Sequence, residues 1–115
     1  MITKYRLGYV CISRKIVGDD SLTYVLVIHR VEDYSKWKPI YDEDGDTRKA
    51  KGSKGAFVFR NTNDPNHLVV MTDWENLEKA KNFAESEDLK ITMQKAGVIG
   101  QPAVYYLEEI ERTPY

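Results

Sequence analysis

The stretch LVIHRVEDYSKW, Leu26 to Trp37, passes from an apolar run through His29 and Arg30 into a helix start. An imidazole titrates near neutral pH, so His29 is the candidate proton acceptor, and a neighbouring guanidinium can clamp an anion. Further along stand Arg60, Asn61 and His67, which flank a turn. If the strands carrying these residues end at the same edge of one sheet, Arg30, Trp37, Arg60, Asn61 and His67 form a candidate binding set around His29. Such a set would suit a small aromatic or anionic ligand. A structural reading competes with it, because strand ends routinely place polar side chains at a rim where they meet solvent or a partner's carboxylates.

Other chemistries find less support. Two histidines, even joined by Asp33 or Asp64, make a thin ligand set, and no metal site is expected. The run DEDGD, Asp42 to Asp46, misplaces its glycine for a calcium loop and has Ser53 where the closing glutamate would fall, so it reads as a solvated helix face with an Asp44–Arg48 pair. GSKG, Gly52 to Gly55, lacks phosphate-loop spacing and reads as a helix exit. Cys11 is the sole cysteine, which rules out an intrachain disulfide and suits a reducing, cytoplasmic setting. Tyr41, Trp74, Tyr105 and Tyr106 fit either a core or an aromatic pocket, and the core reading is preferred.

The elements that would position these groups follow from pattern. Composition is that of a globular chain, and 17 basic against 18 acidic residues leave no net field to attract nucleic acid. No segment approaches the ~20 apolar residues of a membrane span, and the first residues lack the apolar core of a signal peptide. YVLVIHRV, Tyr24 to Val31, is rich in β-branched residues and reads as a strand. From Asp33 to about Lys51 the spacing of Tyr34, Trp37, Ile40 and Tyr41 predicts a helix, with Pro39 and Gly45 imposing a kink or a short entry helix before the main one. GAFVFRN and HLVVMTDW, separated by TNDPN, predict a hairpin. Asn76 and Ser86 are candidate N-caps of two helices, Gly97 ends the second, GQP is expected as a loop, and AVYYLEE is the last strand.

The resulting order, strand, helix, two strands, helix, strand, is the split βαβ arrangement of ferredoxin-like α+β domains, with the first and third strands central in an antiparallel sheet. This domain is expected over residues 23–115, and residues 1–22 form an N-terminal extension, either an extra edge strand or a dimer arm. Both faces of nearly every strand carry apolar residues: Leu26 and Ile28 oppose Val25 and Val27, Val58 opposes Phe57 and Phe59, Leu68 and Val70 oppose Val69 and Met71, and Val104 and Tyr106 oppose Tyr105 and Leu107. The face that the helices do not cover is therefore apolar too. A homodimer packed sheet to sheet is therefore expected.

Across Tyr24 to Ile110, phrases such as DYSKWKPIYDEDG, VVMTDWENLEKAKNFAESEDLK and AVYYLEE resemble antibiotic-biosynthesis-monooxygenase-like proteins of the dimeric α+β barrel superfamily. The resemblance implies a barrel built by two copies and, in some members, cofactor-independent oxygenation, so no cofactor is expected. Haem-degrading members carry a tryptophan and a histidine where this chain has Phe83 and Met93, which disfavours that activity. Two functions follow: a homodimeric small-molecule-binding protein, monooxygenase-like in chemistry, or a non-catalytic protein-binding or assembly module on the same fold.

Overall fold

The computed structural model describes residues 23–115; the extension expected over residues 1–22 lies outside the described residues. The element order is β1 (Thr23–Val31), α1 (Tyr34–Glu43), α2 (Gly45–Ala50), β2 (Ser53–Asn61), β3 (Asp64–Trp74), α3 (Leu77–Ala84), α4 (Glu87–Lys95) and β4 (Val98–Glu108). The four strands form one sheet in the order β2-β3-β1-β4, with each neighbouring pair antiparallel. This is the ferredoxin-like α+β arrangement, with β1 and β3 central and β1 parallel in direction to β2.

Strand register sorts the side chains into two faces, because alternate residues point to opposite sides of a sheet. Val25, Val27 and His29 of β1 pair with Thr72, Val70 and Leu68 of β3, and this face lies under the helices. Trp74, Leu68 and Val25 are its most completely buried large side chains. One cluster joins Val25, Val27 and Trp74 to Ala80 and Phe83 of α3; a second joins Val31, Leu68 and Val70 to Trp37 of α1 and to Ala96. The other face carries Leu26, Ile28, Val69, Met71, Phe57, Phe59, Tyr105 and Leu107 in matching register. Phe57 and Phe59 are each 52% exposed and Tyr105 is 50% exposed.

Capping chemistry sets the helix starts. The Asp33 carboxylate accepts from the Ser35 amide, Asn76 Oδ1 from the Lys79 amide, and Ser86 Oγ from the Leu89 amide. The helix predicted from Asp33 to about Lys51 is two helices that meet at Asp44, just before Gly45. Pro39 sits inside α1 without ending it. The hairpin turn is shorter than the TNDPN segment, since β3 begins at Asp64 and only Thr62 and Asn63 lie between the strands.

The GQP segment is not a free loop. β4 starts at Val98, directly after Gly97, whose φ of +86° is the left-handed conformation expected at a helix exit. Ile28 pairs with Ala103 but Arg30 pairs with Ile99, so Gly100, Gln101 and Pro102 stand opposite His29 alone. This is an enlarged bulge, and Gly100, at φ +72°, supplies a left-handed turn within it.

Candidate functional site

A cavity opens between the helices and the covered face of the sheet, with about 70 Å³ of room for the centres of water-sized molecules. Its floor is Val25, Val27, His29, Val70 and Thr72; Trp37 and Tyr41 of α1, Phe83 of α3 and Met93 of α4 form much of the remainder. The space lies between the two core clusters. A space walled mainly by apolar side chains suits an apolar group better than ordered water.

His29 is the polar centre of the floor. It is only 6% exposed, and among the described residues its Nδ1 has no hydrogen-bond partner. Burial lowers its pKa below the ordinary 6.5; nearby His67 acts in the same direction, and its own backbone acts against both. The ring is therefore held neutral, the form that accepts a proton. An unpaired buried polar atom costs about 1 to 3 kcal/mol, which a ligand carrying a donor would recover. The Trp37 ring lies 5.9 Å away at a 59° tilt and stacks in turn on Tyr41 at 4.8 Å.

Two charged residues join the cavity wall from the α1–α2 junction. Arg48 Nη1 donates to the Tyr41 carbonyl at 3.0 Å, sits 3.7 Å from the Asp44 carboxylate, and its Cζ lies 3.9 Å over the Tyr41 ring. Burial raises the Asp44 pKa, and Arg48 and Lys51 oppose that rise. The hydroxyls of Thr72 and Thr92 complete the polar lining; Thr72 Oγ1 already accepts from Trp74 Nε1 at 2.7 Å.

Of the six residues selected from sequence, the cavity unites His29 and Trp37. The others gather at the same end of the sheet but outside the cavity. Arg30 and His67 pair across β1 and β3 on the opposite face, one residue out of phase with His29, and Arg30 forms an ion pair with Asp64. Arg60 is exposed, with its guanidinium 4.4 Å over the Tyr34 ring. Asn61 accepts from the Asn63 amide and shapes the turn. The aromatic residues divide: Tyr41 lines the cavity, Trp74 is core, Tyr106 packs beside the core with its hydroxyl donating to Glu85, and Tyr105 lies on the open face.

The sequence predicts a solvated face for the run Asp42 to Asp46 and a pair between Asp44 and Arg48; the pair forms, but both residues line the cavity. Their inward direction was encoded in spacing, since Trp37, Tyr41, Asp44 and Arg48 follow one another at steps of about four, three and four, a single helical stripe. Among the described residues, no three His, Cys, Asp or Glu side chains converge as a metal site. No helix among them is long and apolar enough to cross a membrane.

The antibiotic biosynthesis monooxygenase family model matches residues 39–95, which carry the cavity's helical wall. Solved structures share the fold at low identity. A Bordetella bronchiseptica protein assigned to the antibiotic biosynthesis monooxygenases is 15% identical over 77% of this chain and 97% of its own, with a TM-score of 0.65. SnoaB, a cofactor-independent oxygenase from Streptomyces nogalater, is 9% identical over 81% of this chain and 96% of its own, with a TM-score of 0.64. A Nitrosomonas europaea protein of unknown function is 11% identical over 84% and 96%, with a TM-score of 0.65. No curated protein matches the sequence. The match to the family model and the shared fold make this chain similar to the antibiotic biosynthesis monooxygenases, on a ferredoxin-like α+β domain.

Proposed function

We propose that the protein works as a homodimer, paired through the open sheet faces, in which each protomer binds a flat, largely apolar small molecule in its cavity. His29 then takes a proton from an acidic O–H or C–H of the bound ring. The observation that carries this reading is a neutral, buried imidazole with an unpartnered Nδ1 among walls that are otherwise mostly apolar. Trp37 offers an aromatic surface beside it.

The chemistry suits oxygenation without a cofactor, the activity of SnoaB. Proton loss leaves the ring as a delocalised anion, which dioxygen can oxidise directly. A ring methylene and O₂ then yield a carbonyl and water, so atoms and electrons balance with no further reductant. Low polarity around the site favours a neutral histidine before the transfer and brings the ion pair that follows into close contact. Arg30, Arg60, Asn61 and His67 would serve the entrance and the subunit contact, not the reacting atoms. The same fold as a non-catalytic assembly module would use the open sheet face without needing the cavity.

His29→Gln preserves a polar side chain and removes the base. Turnover of an identified substrate is expected to fall by about 10² to 10⁴, with KM changed far less than kcat and with the dimer intact. Unchanged turnover would dismiss His29 as the base.

A further inference from the structure

Arg48 is a wall shared by two spaces. On one side is the apolar cavity; on the other is an open cleft of about 370 Å³ bordered by Gly45, Lys49, Ser53, Lys54 and Gly55. Among the described residues, the cleft lining contains three cationic residues, Arg48, Lys49 and Lys54, and no carboxylate. Two acids stand behind it, Asp44 at 3.7 Å from Arg48 and Asp73 at 3.9 Å from Lys54.

The guanidinium is fixed from one edge. Nη1 takes both the Tyr41 carbonyl and the Asp44 contact, and the plane rests on the Tyr41 ring. Nη2 is directed to Gly45, where an added methyl would lie 3.5 Å from it. Glycine has no side chain to cover that edge, and no hydrogen bond within the described residues engages it. A guanidinium immobilised in this way keeps its remaining N–H groups preorganised for an anion, at little further cost in side-chain freedom.

We propose that Arg48 is the anion anchor of the cavity's ligand. This rests on the cavity being a ligand site and names the ligand class: an amphiphilic organic anion, with an apolar ring body between sheet and helices and an acidic group that meets Arg48 Nη2 in the cleft. Lys49 and Lys54 raise the local positive potential, and Gly45 keeps the passage to Nη2 open.

The test compares two fluorescent probes of similar ring size, the anionic anilinonaphthalene sulfonate and the uncharged phenylnaphthylamine, in titrations of the wild type, Arg48→Met, Gly45→Leu and Ala84→Phe. Circular dichroism checks that each variant is folded. Ala84→Phe fills the cavity and is expected to weaken both probes, which separates cavity binding from adsorption to the open sheet face. Arg48→Met and Gly45→Leu are expected to weaken the anionic probe by about tenfold or more, the usual range for one hydrogen bond to a charged group, and to leave the neutral probe within about twofold. If Arg48→Met fails to fold, Gly45→Leu carries the test, since leucine suits a helix better than glycine. Undiminished binding of the anionic probe in the folded variants would overturn the anchor. Failure of Ala84→Phe to weaken either probe would instead overturn the cavity reading beneath it.

Discussion

At the scale of single residues, His29 couples the chemistry of the site to the stability of the fold. Its pKa is lowered from 6.5 by burial, so the unfolded chain binds the proton more readily than the folded one. Stability is therefore complete above about pH 6.5, declines as pH falls from there, and stops declining from this source once the folded-state pKa is passed. Urea unfolding of the wild type and His29→Gln, followed across this range, should show a falling midpoint in the former and a shallower fall in the latter. Equal slopes would mean that His29 is not held neutral by its surroundings. The identity of this residue was legible in sequence because few side chains titrate near neutrality. Its company was not: register put His67 and Arg30 on the reverse face, whereas the cavity takes in Asp44, from a run that reads as a solvated face, together with its partner Arg48.

Elements place the site through their ends and their irregularities. The link from α3 to α4 turns on Ser86, whose Oγ donates to the Phe83 carbonyl and accepts from the Leu89 amide, and so ties together three-dimensional neighbours of the cavity, Phe83, Leu89 and Met93. The exit of α4 turns on Gly97, with its backbone amide bonded to Gln94 and its carbonyl accepting from the Glu32 amide. At φ +86° an L side chain is disfavoured. Gly97→Ala is accordingly expected to lower stability by about 1 to 2 kcal/mol, read as a drop in thermal or urea midpoint, while an unchanged midpoint would show that this turn relaxes freely. Caps such as Asn76 and Ser86 could be read from sequence because their side-chain chemistry acts within a few residues. The extent of β4 could not, because Gly100 and Pro102 signal a turn locally, and only pairing with β1 on either side of His29 converts that turn into a bulge.

At the scale of the whole molecule, the described residues form one sheet with helices on one side and apolar side chains on both. Phe57, Phe59, Ile99, Tyr105 and Leu107 are each well exposed on the uncovered side or its margin. Sheltering such side chains is worth roughly 1.5 to 3 kcal/mol apiece when complete, enough in sum to drive association of two copies. Phe57→Glu together with Phe59→Glu should shift sedimentation from dimer to monomer without loss of secondary structure; a sedimentation profile unaltered from the wild type would place the contact elsewhere. The ferredoxin-like order and the two-faced sheet were legible because each rests on periodicity, whereas the cavity depends on how far α1, α3 and α4 stand from the sheet, which no local pattern records. Dimer and ligand meet in one measurement, native mass spectrometry of protein purified from its source. The expected mass is that of two 13.3 kDa chains carrying a small organic anion on each protomer, with the anion lost in Ala84→Phe. A single bare chain at concentrations where weak dimers would persist would contradict it.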